Sequence, residues 1–232
     1  MRRPARLLSV LGLALLIPLA GCGGGSSENH LTPDKVLALA KKHVDDTDGV
    51  HFAISSGDVP KGVTTLEKAD GVVTRAPAFK GTITVPVLGT TADIRIVAVG
   101  GKVYARLPFT NSYQTIQPSD YGVPDPATLL DPSSGLSSLL AATQSVKKGD
   151  SVRGGKDNKS VLTEYSGTVP GSDVAKVLPG ATGTFTATYT IDDDEVLSKA
   201  VITGHFNGEK VDPNTYTVTV DDYGTDEKIS AP

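Results

Sequence analysis

The hydrophobic pattern begins with one helical segment after a polar stretch. Thr32 is placed to be the N-cap and Pro33 the first helical residue, and Asp48-Gly49 marks the end. Apolar residues then recur at the spacing of a single helix face, at Val36, Leu37, Ala40 and Val44. The pattern predicts one amphipathic helix from residue 33 to about residue 46.

Most of the remaining chain alternates apolar and polar residues with a period of two, which is typical of strands with one buried face. The alternation predicts strands over 50–55, 66–75, 79–87, 92–99, 102–107, 185–191, 196–206 and 216–220. Gly100-Gly101 is a two-residue hairpin signal. Threonines occupy the polar face of the later strands, and one wet face favours antiparallel pairing.

Three short helices are predicted between and beside the two blocks of strands. Asp125 caps the first, Ser133 or Ser134 caps the second, and Ser172 caps the third. In total we expect eight to eleven strands and three or four helices, which is an α+β domain.

The first 21 residues have the three parts of a secretory signal. Three arginines precede an apolar run over 7–19, which is too short to span a bilayer, and Leu19-Ala20-Gly21-Cys22 resembles the bacterial lipobox. We expect a signal peptide over 1–21, a lipidated Cys22 with a flexible linker over 22–31, and one domain over 32–232. The lipid would hold the protein on the outer face of the cell membrane. Ordinary secretion with a free cysteine is the alternative.

Charge and composition limit the partners and the core. The formal net charge of −4 becomes −7 without the three signal arginines, which argues against nucleic acid or anionic lipid headgroups as bulk electrostatic partners. Cys22 is the only cysteine, so the hydrophobic core holds the domain without a disulfide. The chain has 5 Phe and no Trp, so small side chains must fill this core or leave it incompletely filled.

A series of short motifs lies between residues 103 and 180, and their order and spacing are characteristic. They are Val103-Tyr104-Ala105, Asp125-Pro126, Leu129-Leu130, Pro132, Gly135-Leu136, Leu139-Leu140, Val169-Pro170-Gly171, Ala175-Lys176-Val177 and Leu178-Pro179. In these motifs the chain resembles the actinobacterial LppX/LprA/LprF/LprG lipoprotein family. One departure is Tyr113, which stands where a Trp is expected.

The resemblance implies a strongly curved antiparallel half-barrel sheet with helices packed on its concave face, enclosing a hydrophobic cavity. Such a protein binds acyl chains of lipids or glycolipids and carries them across the cell envelope. A membrane lipid transporter is then a candidate partner, and the domain is expected to be a monomer.

An acyl chain offers only apolar surface for burial, so its site must be an apolar concavity. The apolar faces that would line this predicted cavity are those of Leu37, Ala40, Val44, Ile83, Val85, Ile94, Ile96, Ala98, Val103, Leu129, Leu136, Leu139 and Leu140. Residues of these types are also ordinary core residues, so plain packing remains the alternative for each of them.

The sequence holds little that predicts catalysis. The four histidines lack the spacing of metal ligands, and no Gly-x-Ser-x-Gly segment is present. Asp192-Asp193-Asp194 lacks the spaced ligands of a calcium loop and is interpreted as a hairpin turn. We therefore expect no enzyme activity, no metal and no cofactor. The alternative to a lipid carrier is a non-enzymatic scaffolding or protein-interaction lipoprotein with a filled core.

Overall fold

The alternating segments form one antiparallel sheet of eleven strands in the computed structural model, which describes residues 31–57, 60, 63, 66–87, 90–121, 123–155 and 158–232. The strands are β1 Gly49–Ser56, β2 Lys68–Thr74, β3 Ala78–Val87, β4 Thr90–Val99, β5 Lys102–Arg106, β6 Gln114–Ile116, β7 Gln144–Gly154, β8 Ser160–Pro170, β9 Thr182–Ile191, β10 Leu197–His205 and β11 Asn214–Asp221. Residues 31–232 form one compact unit. The predicted signal peptide, Cys22 and nearly all of the predicted linker lie outside the described residues and remain predictions.

The strand order is β6-β5-β4-β3-β2-β1-β11-β10-β9-β8-β7. The first and last strands of the chain therefore pair at the centre of the sheet, with Phe52 opposite Val220 and Ile54 opposite Val218. We call β1–β6 the N-terminal half-sheet and β7–β11 the C-terminal half-sheet. The predicted antiparallel pairing holds for every strand pair.

The first helix, α1, covers Pro33–Asp46, as the sequence predicts. Thr32 occupies the N-cap position with an extended backbone, but its side chain makes no capping hydrogen bond. The predicted apolar stripe is buried in the core that the helix shares with the sheet, through Val36, Leu37, Ala40 and Val44. Burial of this stripe therefore fixes the helix on the sheet more than its cap does.

The segment between β6 and β7, residues 117–143, carries the chain from one sheet edge to the other, and we call it the crossover. It contains two 3-10 helices, η1 Pro118–Tyr121 and η2 Pro126–Thr128, and a short α-helix, α2 Ser137–Ala142. Asp125 caps η2 by accepting a hydrogen bond from the Ala127 N–H at 2.9 Å, as predicted. η2 contacts β2, β3 and β4, whereas α2 contacts α1 and β8.

Two predicted helix caps are wrong. Leu136 is the N-cap of α2, and Ser133 and Ser134 instead donate their backbone N–H groups to the Asp131 carboxylate. The third helix, α3, covers Gly171–Val177 with Pro170 at the N-cap, so Ser172 lies inside its first turn. The helix thus begins after the predicted serines in α2 and before the predicted serine in α3.

Strands β6, β7 and β8 were not predicted from the alternation. β7 is an edge strand that is exposed over most of its length and carries Lys147, Lys148 and Arg153, so it has no apolar face to alternate. Its position is fixed by pairing with β8, where the register shifts twice. Charges and irregularities of this kind discourage another chain from pairing with the edge.

Candidate functional site

The candidate site lies on the apolar face of the N-terminal half-sheet, where burial changes along each strand. On β3, Phe79 is buried while Ile83 and Val85 are only partly buried. On the neighbouring β4, Ala98 pairs with Phe79 and is buried, whereas Ile94 pairs with Ile83 and is partly buried. The same gradient follows β1, from buried Val50 and Phe52 to partly buried Ile54. One end of this face is therefore covered, and the other is partly open.

The partly open end carries apolar side chains on β1, β3 and β4 and just outside β2 and β5. Ile94 faces the same side as Ile83, and Leu107 follows the end of β5 beside β4. Except for Val85, each member packs against the core, and all are incompletely covered. We call this surface the open trough; it consists of Ile54, Leu66, Ile83, Val85, Ile94 and Leu107.

The thirteen residues predicted to line a cavity fall into two groups. The partly buried group is Ile83, Val85, Ile94, Leu129 and Leu136. The second group is buried inside the core cluster: Leu37, Ala40, Val44, Ile96, Ala98, Val103, Leu139 and Leu140. Leu129 and Leu136 lie on the crossover, and the other three partly buried residues lie in the open trough.

Sequence reasoning missed Ile54, Leu66 and Leu107 as members of this surface. Ile54 and Leu107 lay in predicted strands and continued their apolar faces, so the alternation contained a signal for them. Leu66 is the first residue of the predicted strand over 66–75, but in the structure it precedes β2, and its packing against the core had no signal in the spacing.

A pair of glycines lies beside the open trough. Gly71 on β2 is directly opposite Gly81 on β3, and a Cβ on Gly81 would lie 2.3 Å from the Asp70 carbonyl oxygen. The same Cβ would lie 2.7 Å from the tip of the Phe79 ring. The ring therefore lies over the two glycines, and the close approach of the two backbones requires residues without side chains.

The C-terminal half-sheet is filled where the N-terminal half is open. The rings of Phe185 and Phe206 lie 4.8 Å apart at an interplanar angle of 65°, and Tyr216 contacts Phe206 at the same separation. Tyr189 is buried, with its hydroxyl 2.9 Å from the Thr143 hydroxyl, and burial raises the pKa of Tyr189 to about 12. On β9, β10 and β11 the apolar residues that face the core are buried along the whole strand, whereas Val201 on the other face of β10 is partly exposed.

Arg75 connects the covered end of the N-terminal half-sheet to α1 and to the segment after η2 through hydrogen bonds. It follows β2, and its guanidinium donates to the carbonyls of Val44 at 2.6 Å and Thr47 at 3.3 Å, and also to that of Leu130. These carbonyls belong to the end of α1 and to the segment after η2. A cation at a helix C-terminus interacts favourably with the unpaired carbonyls there. One side chain thus joins the helix, the crossover and the sheet.

A pocket of about 410 Å³ lies at the turn between β4 and β5, away from the open trough. Val103 is the predicted cavity residue that lines it, together with Lys102, Thr115 and Val123 from the same half of the chain. Pro179, which follows α3 in the C-terminal half, also lines it. Residues from both halves of the chain therefore line this pocket.

Among the described residues, no group of three or more His, Cys, Asp or Glu side chains is arranged to hold a metal ion. Asp192 accepts hydrogen bonds from the N–H groups of Asp194 and Val196, which is the geometry of the predicted hairpin turn. No helix in the described ranges is long and apolar enough to cross a bilayer.

The model of the LppX_LprAFG lipoprotein family matches residues 32–230. The chain belongs to this family. Family membership makes it a lipid-anchored protein associated with the cell envelope. It also accounts for the order of motifs between residues 103 and 180.

Solved structures show the same fold. The chain is similar to LprF from Mycobacterium bovis, with a TM-score of 0.69, 18% identity and coverage of 86% of this chain and 96% of that one. It is also similar to the lipoprotein LppX from Mycobacterium tuberculosis, with a TM-score of 0.63, 17% identity and coverage of 85% and 98%. No curated protein matches the sequence. At these identities the structural likeness establishes the family's open antiparallel sheet of eleven strands with a few helices.

Proposed function

We propose that this lipoprotein binds acyl chains of lipids or glycolipids along the open trough and carries them across the cell envelope. The observation that carries the proposal is the row of partly exposed aliphatic side chains on an otherwise core-forming sheet face, at Ile54, Ile83 and Ile94. Apolar surface of this kind gains free energy when an acyl chain covers it, at about 25 cal/mol per Å². Cys22 is the residue to which we assign the lipid anchor, on the outer face of the membrane.

Unpaired polar groups near the same end of β1 suit the polar part of such a lipid. Asn214, which is 2% exposed, and Ser56 have buried side-chain atoms without a hydrogen-bond partner in the described part of the chain. Ser56 pairs with Tyr216, two residues from Asn214, and follows Ile54 on the same face of β1. A buried polar group without a partner costs about 1–3 kcal/mol, which an ester or hydroxyl group of a ligand would offset.

The test compares two tryptophan substitutions on neighbouring residues of β3. Ile83→Trp adds bulk inside the open trough, and Thr82→Trp adds the same ring on the opposite face of the strand. The lipoprotein purified from a lipid-rich host is extracted with organic solvent and the lipid bound per protein is measured by mass spectrometry. We expect Ile83→Trp to lose most of the bound lipid and Thr82→Trp to retain it.

Equal lipid content in the two variants would place the lipid elsewhere, and no lipid in the unmodified protein would contradict the carrier function. The second outcome would favour the scaffolding lipoprotein, for which the aromatic-filled C-terminal half is the supporting observation. Transfer of fluorescent lipid between two vesicle populations then tests carriage apart from binding. A membrane lipid transporter remains a candidate partner within this proposal.

A further inference from the structure

The tip of the hairpin between β5 and β6 presents an aromatic ring to solvent. Phe109 is fully exposed, whereas the other phenylalanines, at 52, 79, 185 and 206, are all buried. Within the same tip, Leu107 and Pro108 are partly exposed. An isolated exposed Leu is ordinary on protein surfaces, but a fully exposed Phe at a hairpin tip is a candidate contact with something apolar.

The backbone at Phe109 makes this exposure more unusual. The Thr110 N–H donates to the Leu107 carbonyl at 3.2 Å, which closes a four-residue turn with Pro108 at its second position. Phe109 is the third residue of the turn and has a φ of 64°, where glycine is ordinarily selected. The chain therefore holds a bulky ring in a conformation that is costly for it, and the folded domain gains no packing from that ring.

The turn is held in one shape by its own hydrogen bonds. The Thr110 hydroxyl donates to the Leu107 carbonyl at 2.7 Å, and Arg106 Nε donates to the Thr110 carbonyl at 3.2 Å. These bonds hold the backbone that carries the Phe109 ring in one conformation. A turn that is already ordered loses less conformational entropy when the ring is buried in an apolar environment.

Two arginines lie together beside this tip. Arg95 on β4 is directly opposite Arg106 on β5, and like charges opposite each other on a sheet are destabilising. In the described part of the chain Arg95 has no hydrogen-bond or ion-pair partner. Asp93, the acidic residue two positions before it, accepts a hydrogen bond from the Thr84 hydroxyl at 2.7 Å. Residues 107–113 contain no Asp or Glu in a chain that is acidic overall.

The anchor keeps the domain close to a bilayer. Eight residues lie between Cys22 and Leu31, and the nine Cα–Cα steps that join them span about 30 Å when fully extended. A domain of this size is on the order of 40 Å across, so the leash is shorter than the domain. Some face of the domain must therefore stay within reach of the lipid surface.

We propose that the tip formed by residues 107–113 is a second membrane contact, in which the Phe109 ring enters the bilayer interface and Arg95 and Arg106 face anionic headgroups. The adjacent Leu107 belongs to the open trough, so this contact brings the end of the trough to the lipid surface. The contact itself does not require that the trough binds lipid, and the two proposals can fail separately.

The experiment uses the full lipoprotein reconstituted in vesicles that contain phosphatidylglycerol and phosphatidylethanolamine. Asn111→Cys places an environment-sensitive fluorophore in the tip with Phe109 intact, since acylation occupies Cys22. Val152→Cys, at a residue that is 61% exposed on β7, provides the matched control position. Nitroxide-bearing lipids should quench the fluorophore at position 111 and leave that at position 152 unquenched.

The decisive variant is Phe109→Gly, combined with Asn111→Cys. Glycine suits the positive φ, so the melting temperature should stay the same or rise while quenching at position 111 falls to the level at position 152. Arg95→Gln, which leaves the hydrogen bond from Arg106 to the turn in place, should reduce the immersed fraction roughly five-fold in anionic vesicles and little in phosphatidylcholine vesicles.

Unquenched fluorescence at position 111 when Phe109 is intact would overturn the proposal. Quenching at position 111 that persists in Phe109→Gly would also overturn it. Shielding of position 111 that arises only when other envelope proteins are added would also overturn it and indicate a protein contact. If the unmodified lipoprotein carries no bound lipid but position 111 is quenched, the carrier function fails while the membrane contact stands.

Discussion

Strands β1–β5 and β9–β11 share the same alternating pattern, but the two half-sheets have different cores. In the C-terminal half, Phe185, Tyr189 and Phe206 fill the space above the sheet, and burial extends along β9, β10 and β11. In the N-terminal half, Phe52 and Phe79 cover one end, and the other end holds only partly buried aliphatic residues. The comparison shows that a half-sheet with few aromatic rings can keep an apolar face partly open. The C-terminal half is thus suited to stability and the N-terminal half to binding.

Matched deletions of an isoleucine should give the largest difference between the halves. Ile191→Ala removes a side chain with 0% exposure on β9 and should destabilise the domain by about 3–4 kcal/mol, because it leaves a cavity in packed surroundings. Ile94→Ala in the open trough should cost about 1 kcal/mol, because its side chain is only partly buried. Urea unfolding of both variants measures the two values. Equal losses would mean that the halves are packed alike.

Arg75→Met should have an intermediate effect and act on the cover of the N-terminal half. The substitution keeps an apolar stem and removes the donor to three backbone carbonyls, including those of Val44 and Leu130. We expect a loss of about 2 kcal/mol, since hydrogen bonds from a charged donor are among the stronger ones. Hydrogen exchange should rise at the end of α1 and around η2 and stay unchanged in β9. A uniform rise across both halves would contradict this local role.

His51 should have the smallest effect, at the junction between the halves. It lies on β1 with Nδ1 2.7 Å from Asp221 on β11 and Nε2 3.3 Å from Asp70 on β2. Partial burial opposes its protonation, but the hydrogen bonds to Asp221 and Asp70 outweigh burial and hold the pKa of His51 above its usual value. The protonated form is therefore favoured by folding.

This contribution is fully present below the unfolded pKa of about 6.5 and is lost as the pH rises through the higher folded pKa. Because both carboxylates are largely exposed, we expect less than about 1 kcal/mol. Unfolding measured from pH 5.5 to 8.5 should show a decline in stability that His51→Gln removes. An identical decline in that variant would assign the pH dependence to another group.

The sequence predicted the parts of the fold whose side chains face one buried surface. α1 and strands β1–β5 and β9–β11 follow from the spacing of apolar residues, and Gly100 and Gly101 both adopt the positive φ that their hairpin requires. β7 was missed because its residues are mostly exposed and its strand conformation depends on pairing with β8. The local sequence pattern does not show that pairing. Ser172 was misassigned because Pro170 already begins α3.

The candidate site was predictable only in outline. The alternation placed Ile83, Val85 and Ile94 on one face, but their partial exposure depends on how far η2 and the crossover extend over the sheet. Leu139 and Leu140 carry the same kind of pattern and are buried beside Tyr189. Spacing reports which face is apolar, whereas coverage of that face is decided by elements distant in sequence.

The pairing of β1 with β11 has a consequence for biogenesis. His51 and Asp221 meet across a separation of 170 residues, so the centre of the sheet closes only when the end of the chain is available. Contacts between distant segments slow folding, because the chain entropy is lost before the contacts form. A chain emerging from the ribosome therefore lacks its central strand pair until β11 has been synthesised. Any product truncated before β11 has an unpaired, aggregation-prone edge at β1.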